Sequence, residues 1–256
     1  MIDKIEFINI FNPDSYNLVK TLPTFKKKIP DKINIDKNSK YIYKNYNSIN
    51  LLDYYIRNKE TSRGIQVVAY SNIISKIMLG IYMNKNFTIE VIKDRKIIYL
   101  NEPDDLNSNE NLLYNLKRQE TFKGLLLNNN KNPRYGLSKI KLGNHTILVA
   151  GKIDATIFDK HINILLVKNL SYKILLESYI NGVITKTYKI LYGVVNKDNN
   201  IRYYNSLKVD DLDEMLSLDI EKGKKFFNKI IKSINSNKKH KFKLSYNAVK
   251  KEIITE

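Results

Sequence analysis

Residues 145–168 read HTILVAGKIDATIFDKHINILLVK, and they decide the fold. Two apolar, β-branched runs, His145 to Phe158 and Ile162 to Lys168, flank Asp159-Lys160, the pattern of paired antiparallel strands. Side chains alternate across a strand, so Lys152 and Asp154 face one way on the first run, and Leu166 and Lys168 face one way on the second. All four are expected to meet at one site.

Downstream, Leu170 to Tyr179 reads as a helix, and Tyr188 to Val195 and Ile201 to Leu207 as a strand pair around Lys197-Asp198-Asn199-Asn200. An amphipathic helix follows: Ile220, Phe226, Phe227, Ile230, Ile231 and Ile234 share one face, and Lys222, Lys224, Lys225, Lys229 and Lys232 cover the other. Lys241 to Tyr246 and Lys250 to Thr255 close the chain as strands. Upstream, Glu110 to Leu127 is a helix followed by an Asn-rich loop, and Phe87–Ile92 and Lys96–Leu100 form a hairpin around Asp94-Arg95. From Asn50 to Met83, apolar residues at helical spacing, broken near Ser62-Arg63-Gly64, predict two helices. Residues 1–50 hold Pro13, Pro23 and Pro30 with little periodicity and read as a wrapping arm; residues 51–256 read as one α+β domain, a central mixed sheet flanked by helices.

The chain has 256 residues, 43% of them hydrophobic, enough for one sizeable core. Lys and Arg number 44 against 26 acids, a net charge of +18, whose natural partner is a polyanion. The abundance of Lys, Asn and Ile also fits an AT-rich coding sequence. Without cysteine, disulfides and thiolate chemistry are excluded, and a reducing intracellular location is expected, cytoplasmic or nuclear. No segment approaches the length of a membrane span.

Strand, turn, strand and helix, with an acid on the first strand and a lysine on the second, resemble the core of the PD-(D/E)xK nucleases. The longer run from His145 to Leu207, with Ser178-Tyr179-Ile180-Asn181-Gly182-Val183 and Leu191-Tyr192-Gly193-Val194-Val195-Asn196-Lys197-Asp198-Asn199, resembles the Rai/DXO family of decapping and 5′-end quality-control nucleases. Ile74-Ser75-Lys76-Ile77-Met78, the hairpin at 87–100 and the helix at 110–127 fall where that family has helix, hairpin and helix, so the resemblance covers residues 20–250. It implies a metal-dependent nuclease in which acids hold one or two divalent cations and a lysine neutralises developing charge.

The departures fall on the ligands. The family's Glu-x-Asp is Lys152-Ile153-Asp154 here, and its Glu-x-Lys is Leu166-Val167-Lys168. Its Gly-x-x-x-Glu falls near Gln119-Glu120-Thr121-Phe122-Lys123, with Lys123 in the glutamate's place, or Gly124 if the register shifts by one; its phosphate-contacting arginine corresponds to Ser71 and its later glutamine to Glu177. An ammonium roughly 4 Å from a divalent ion would be repelled by about 8 kcal/mol at an effective dielectric near 20. The expectation is therefore a degenerate site with no bound metal, in which Lys123, Lys152 and Lys168 make the old cleft positive and able to hold phosphate, joined by Lys222, Lys224 and Lys225 on the basic helix face. Mg²⁺ or Mn²⁺ enters only if an active decapping or NAD-cap-removing hydrolase has rebuilt its ligand set.

Other readings compete at several of these positions. Asp154 and Lys168 fit a buried ion pair as well as a phosphate site, and Glu177 fits a solvated helix acid as well as a surviving ligand. Asp210-Asp211-Leu212-Asp213-Glu214 fits a helix first turn better than a metal cluster. His145, His161 and His240 lack ligand spacing. The clusters Lys26-Lys27-Lys28 and Lys238-Lys239-His240-Lys241 read as solvated faces or phosphate-tracking surfaces, and Tyr41, Tyr43, Tyr46, Tyr54 and Tyr55 as arm packing or base-stacking platforms. The resulting expectation is an inactive nuclease relative that binds RNA, a ribonucleoprotein such as the ribosome, or a 5′→3′ exoribonuclease. Its rivals are an active hydrolase and a structural basic subunit of a large RNA-protein assembly.

Overall fold

The structure is a computed structural model and describes residues 2, 4–15, 17–19, 22–23, 32–33, 46–59, 63–103, 110–128 and 134–256. Its centre is the run Val67-Val68-Ala69-Tyr70, buried at every position, which forms β3 (Val67–Tyr70). This strand lies parallel to both neighbours, β5 (Ile97–Asn101) and β7 (His145–Lys152). The sequence pattern predicts two consecutive helices across this region; the structure has α1 (Ser48–Lys59), then β3, then α2 (Ser71–Tyr82). A strand covered on both faces has no polar alternation to separate it from helix.

Around β3 the larger sheet grows by antiparallel pairing. On one side β5 pairs with β4 (Phe87–Asp94) in the expected hairpin, and β4 with β12 (Lys241–Asn247), which pairs with β13 (Glu252–Thr255). On the other side β7 pairs with β6 (Tyr135–Leu142), β6 with β1 (Lys4–Asn12), and β1 with β2 (Asn17–Leu18). The order is β13-β12-β4-β5-β3-β7-β6-β1-β2. Residues 4–12 of the expected arm are thus a strand of the sheet itself. A bulge hides it from the sequence: Phe7 opposes Ser138 and Asn9 opposes Leu137, leaving Ile8 as the extra residue. Ile5 therefore packs in the same core as its partner Ile140, whereas Phe11 packs in the opposite core with Tyr135. The odd-numbered residues change face at the bulge, which destroys the period of two.

A second, smaller sheet has the order β11-β10-β9-β8, built from β8 (Ala155–Ile157), β9 (Lys160–Val167), β10 (Thr187–Val195) and β11 (Ile201–Lys208). Strands β9 and β10 are parallel and joined through α4 (Tyr172–Thr185), capped by Ser171 Oγ, which accepts from Ile174 N–H. The long first run of residues 145–158 is not one strand. It leaves the large sheet after Lys152 and re-enters structure in the small sheet at Ala155, so the crossing between the sheets falls on Ile153-Asp154.

The helices divide by face. Val67, Ala69, Ile147 and Val149 point into the main core with α2, α4, α5 (Val209–Leu216) and α6 (Ile220–Ser236). Val68, Tyr70, Leu148 and Ala150 point the other way, onto Leu51, Leu52, Tyr54 and Tyr55 of α1. Helix α3 (Glu110–Leu126) covers the small sheet, with Phe122, Leu126 and Leu127 against Ala155, Ile162, Ile164 and Val195. Tyr46 packs against the rings of Tyr70 and Tyr135; Tyr41, Tyr43 and Lys26–Lys28 lie outside the described residues. Asp210 and Asp211 occupy the first turn of α5, where the helix dipole favours them. No helix among the described residues is long and apolar enough to cross a membrane.

Candidate functional site

Where the chain crosses between the sheets, three segments hold it in place. The Asn181 side chain of α4 treats Lys152 as a strand would: its Nδ2 donates to Lys152 O (2.9 Å) and its Oδ1 accepts from Lys152 N–H (3.1 Å). Gly151 makes this approach feasible, because a Cβ there would stand 2.6 Å from Asn181 Oδ1. Ser71 Oγ, at the start of α2, donates to the same Oδ1 (2.7 Å), so Ser71 positions the crossing. Asn163 of β9, with its amide oriented to satisfy both ends, donates to Lys152 O (3.0 Å) and accepts from Asn181 Nδ2 (2.7 Å). On the other side, the Gln119 amide clips α3 to β9: its Nε2 donates to Ile164 O (2.5 Å), and its Oε1 accepts from Leu166 N–H (2.7 Å).

These clamps bring four charges together. Asp154 Oδ1 meets Lys123 Nζ at 2.7 Å, and its Oδ2 accepts from Ile164 N–H at 2.8 Å. Glu120 Oε1 meets Lys152 Nζ at 2.6 Å and lies 3.7 Å from Lys123 Nζ. Lys123 and Asp154 are only 4% and 6% exposed. The charges alternate along the chain Lys152, Glu120, Lys123, Asp154 and sum to zero. Burial pushes the Glu120 carboxyl up, but the ammonium groups of Lys123 and Lys152 outweigh it and hold the group down to about 2. Burial likewise pulls Lys152 down, and Glu120 and Asp154 reverse the sign, leaving it above the ordinary lysine value. Arg134 adds a cation beside Asp154: burial lowers its pKa while the carboxylate opposes the shift.

The expected site residues separate. Lys123, Lys152 and Asp154 converge; Ser71 reaches them only through Asn181; Leu166 is half-buried against the α3 core, with its N–H on Gln119. Lys168 follows the last residue of β9 and is exposed, and the partner of Asp154 is Lys123, not the Lys168 expected for a buried pair. Glu177 is half-buried on α4 with Lys173 at 3.8 Å; burial raises its pKa, and Lys173 offsets this only in part. Lys222, Lys224 and Lys225 ride on α6, whose apolar face packs in the main core; Lys222 and Lys225 are exposed, and Lys224 is held by Glu221 at 3.2 Å. Sequence reasoning missed Glu120, Gln119, Asn163 and Asn181. The available signal was the i, i+3 pair of Glu120 and Lys123, which sets an acid and a base side by side on one helix face.

A small divalent cation needs a near-octahedral shell of oxygens at roughly 2.0–2.1 Å. Here the oxygens of Asp154 are held by an ammonium and a backbone N–H, and Glu120 is held by two ammoniums. Among the described residues no three His, Asp or Glu side chains gather into a group that could hold a metal ion. The residues present do not fit such an ion.

No family model matches the sequence, and no curated protein matches it. Solved structures do. S. pombe Rai1 superposes with a TM-score of 0.74 at 13% identity over 96% of this chain and 91% of its own. K. lactis Dxo1, solved in complex with manganese, gives 0.70 at 12% identity over 100% of this chain and 90% of its own. Candida albicans Rai1, solved in complex with pU5-Mn²⁺, gives 0.59 at 11% identity over 80% and 72%. With two mixed sheets, flanking helices and near end-to-end coverage, the chain has the Rai/DXO fold.

Proposed function

We propose that this protein is a Rai/DXO-fold pseudo-nuclease that binds RNA or a ribonucleoprotein surface without cutting it. The observation that carries this reading is the neutral chain of Lys152, Glu120, Lys123 and Asp154 at the crossing between the sheets. Each acid that could serve a cation already serves a lysine, and opening the buried Lys123–Asp154 pair for a metal would strand an ammonium away from water. The K. lactis and C. albicans proteins were solved with manganese, the latter also with pU5; this chain keeps the fold with a donor set ill suited to the metal.

RNA binding is supported by the net charge of +18 and by where that charge lies. Because the lysines of the inner cluster are neutralised, the cleft itself is not the strongly positive patch that sequence alone suggests. Among the described residues, part of the uncommitted charge is on α6, where Lys222, Lys225, Lys229 and Lys232 recur at helical spacing over about 15 Å. Three of them line a groove of about 460 Å³ with Phe226 and Tyr246. Such a stripe follows a phosphate backbone and makes affinity strongly salt-dependent.

The test is to incubate the purified protein with capped and NAD-linked RNA in Mn²⁺, while measuring its affinity for the same RNA across a salt series. The expected result is no release of cap or NAD and a steep loss of affinity with salt. Release of product that stops in Asp154→Ala would contradict the proposal, as would the absence of RNA binding at low salt. Ribosomal subunits or a 5′→3′ exoribonuclease recovered with the protein from native extract would name the particle it joins.

A further inference from the structure

Arg118 sits one residue before Gln119 on α3 and is 6% exposed. Its Nε and Nη2 are buried without a hydrogen-bond partner among the described residues. The guanidinium stacks at 5.7 Å on the ring of Tyr114, one turn earlier, and that ring is half exposed. A guanidinium keeps its charge at any pH that proteins meet, so it cannot escape burial by losing a proton, as a lysine can. Helix α3 runs against β9: Asp154 brings Lys123 level with Ile162 and Ile164, and Gln119 bridges Ile164 and Leu166. Residues earlier in α3 therefore lie toward the end of β9, from which exposed Lys168 emerges.

We propose that Arg118 is the anchor of a phosphate-binding site, in which the two unpartnered nitrogens, buried in the free protein, grip a phosphate of the bound RNA and the half-exposed Tyr114 ring carries the adjoining base or ribose. A planar fork with two free donors matches two phosphate oxygens, and an aromatic face beside it is the usual companion for an unpaired nucleotide. The proposal rests on the RNA-binding reading above and assigns it a residue that the family resemblance does not.

The experiment compares the full-length protein with Arg118→Met and Arg118→Lys. Thermal midpoints are measured in chloride and in inorganic phosphate at equal ionic strength, and binding of a uridine pentamer carrying either a 5′-phosphate or a 5′-hydroxyl is followed by anisotropy. Phosphate is expected to raise the wild-type midpoint and leave that of Arg118→Met unmoved, while Arg118→Met alone is at least as stable as wild type. Arg118→Met is expected to lose about tenfold or more in pentamer affinity, as for a charge-assisted hydrogen bond, with Arg118→Lys between the two. Loss of the difference between 5′-phosphate and 5′-hydroxyl would identify a terminal phosphate; equal loss for both would identify an internal one. A destabilised Arg118→Met would make the guanidinium structural and overturn the inference. Unchanged pentamer affinity in Arg118→Met would overturn it too while leaving RNA binding intact, whereas cleavage of RNA by the wild type would defeat the pseudo-nuclease reading alone.

Discussion

Helix α3 carries two buried cations five residues apart, and they are treated in opposite ways. Lys123 lies 2.7 Å from Asp154 and 3.7 Å from Glu120, inside a network whose charges cancel. Arg118 has an aromatic ring for company and two nitrogens with no partner among the described residues. Burial of charge is tolerated where it is matched within the fold, and an unmatched charge calls for a partner from outside. The difference separates a cation whose partners lie within the fold from one whose two nitrogens are buried without any among the described residues.

The most severe way to break the matched region is to remove one partner. Asp154→Ala leaves buried Lys123 with only Glu120 at 3.7 Å and frees Ile164 N–H, so denaturant unfolding should show a loss of about 3 kcal/mol. Replacing both partners, Lys123→Met with Asp154→Leu, should recover most of that loss, because two apolar side chains need no desolvation. Acid tests the same network more gently. Glu120 titrates well below an unfolded glutamate, so its contribution is complete above about pH 4.5 and disappears as pH falls toward 2. Allowing for its partial exposure, the loss should be about 1–2 kcal/mol, and Glu120→Gln should flatten that limb of the stability–pH curve. In the unmatched region the sign reverses, with Arg118→Met holding or gaining stability. The smallest stability effect belongs to the α6 surface. Lys225→Ala and Lys229→Ala should change stability by less than about 0.5 kcal/mol, while each lowers the salt slope of RNA affinity by about one unit.

How much of this was legible in the sequence differs by element. The hairpin at Asp94-Arg95, the β10–β11 pair and the amphipathic α6 stand out because local turn chemistry and periodicity agree with the fold. Strand β3 was hidden by burial on both faces, and β1 by the bulge at Ile8. The site was half legible. Lys152 and Asp154 were drawn together by assuming a single strand through residues 152–154, and Lys123 through the family resemblance; the structure brings the three together although the chain changes sheets there. Alternation along the second run moved Lys168 inward, although β9 ends at Val167, and Glu120 was left out because which lysine meets which acid depends on how α3 lies across β9. The Gln119 clip decides that docking, and periodicity along one chain does not encode it.

The most direct test of the closed site is a manganese titration of the metal-free protein, followed by electron paramagnetic resonance of the free ion. The account predicts that the free-ion signal rises in step with added manganese, as in buffer, and that Lys123→Glu combined with Lys152→Glu creates a site that depletes it. Stoichiometric depletion by the wild type, abolished by Asp154→Asn, would show that the salt-bridge network opens for a metal and would contradict the account.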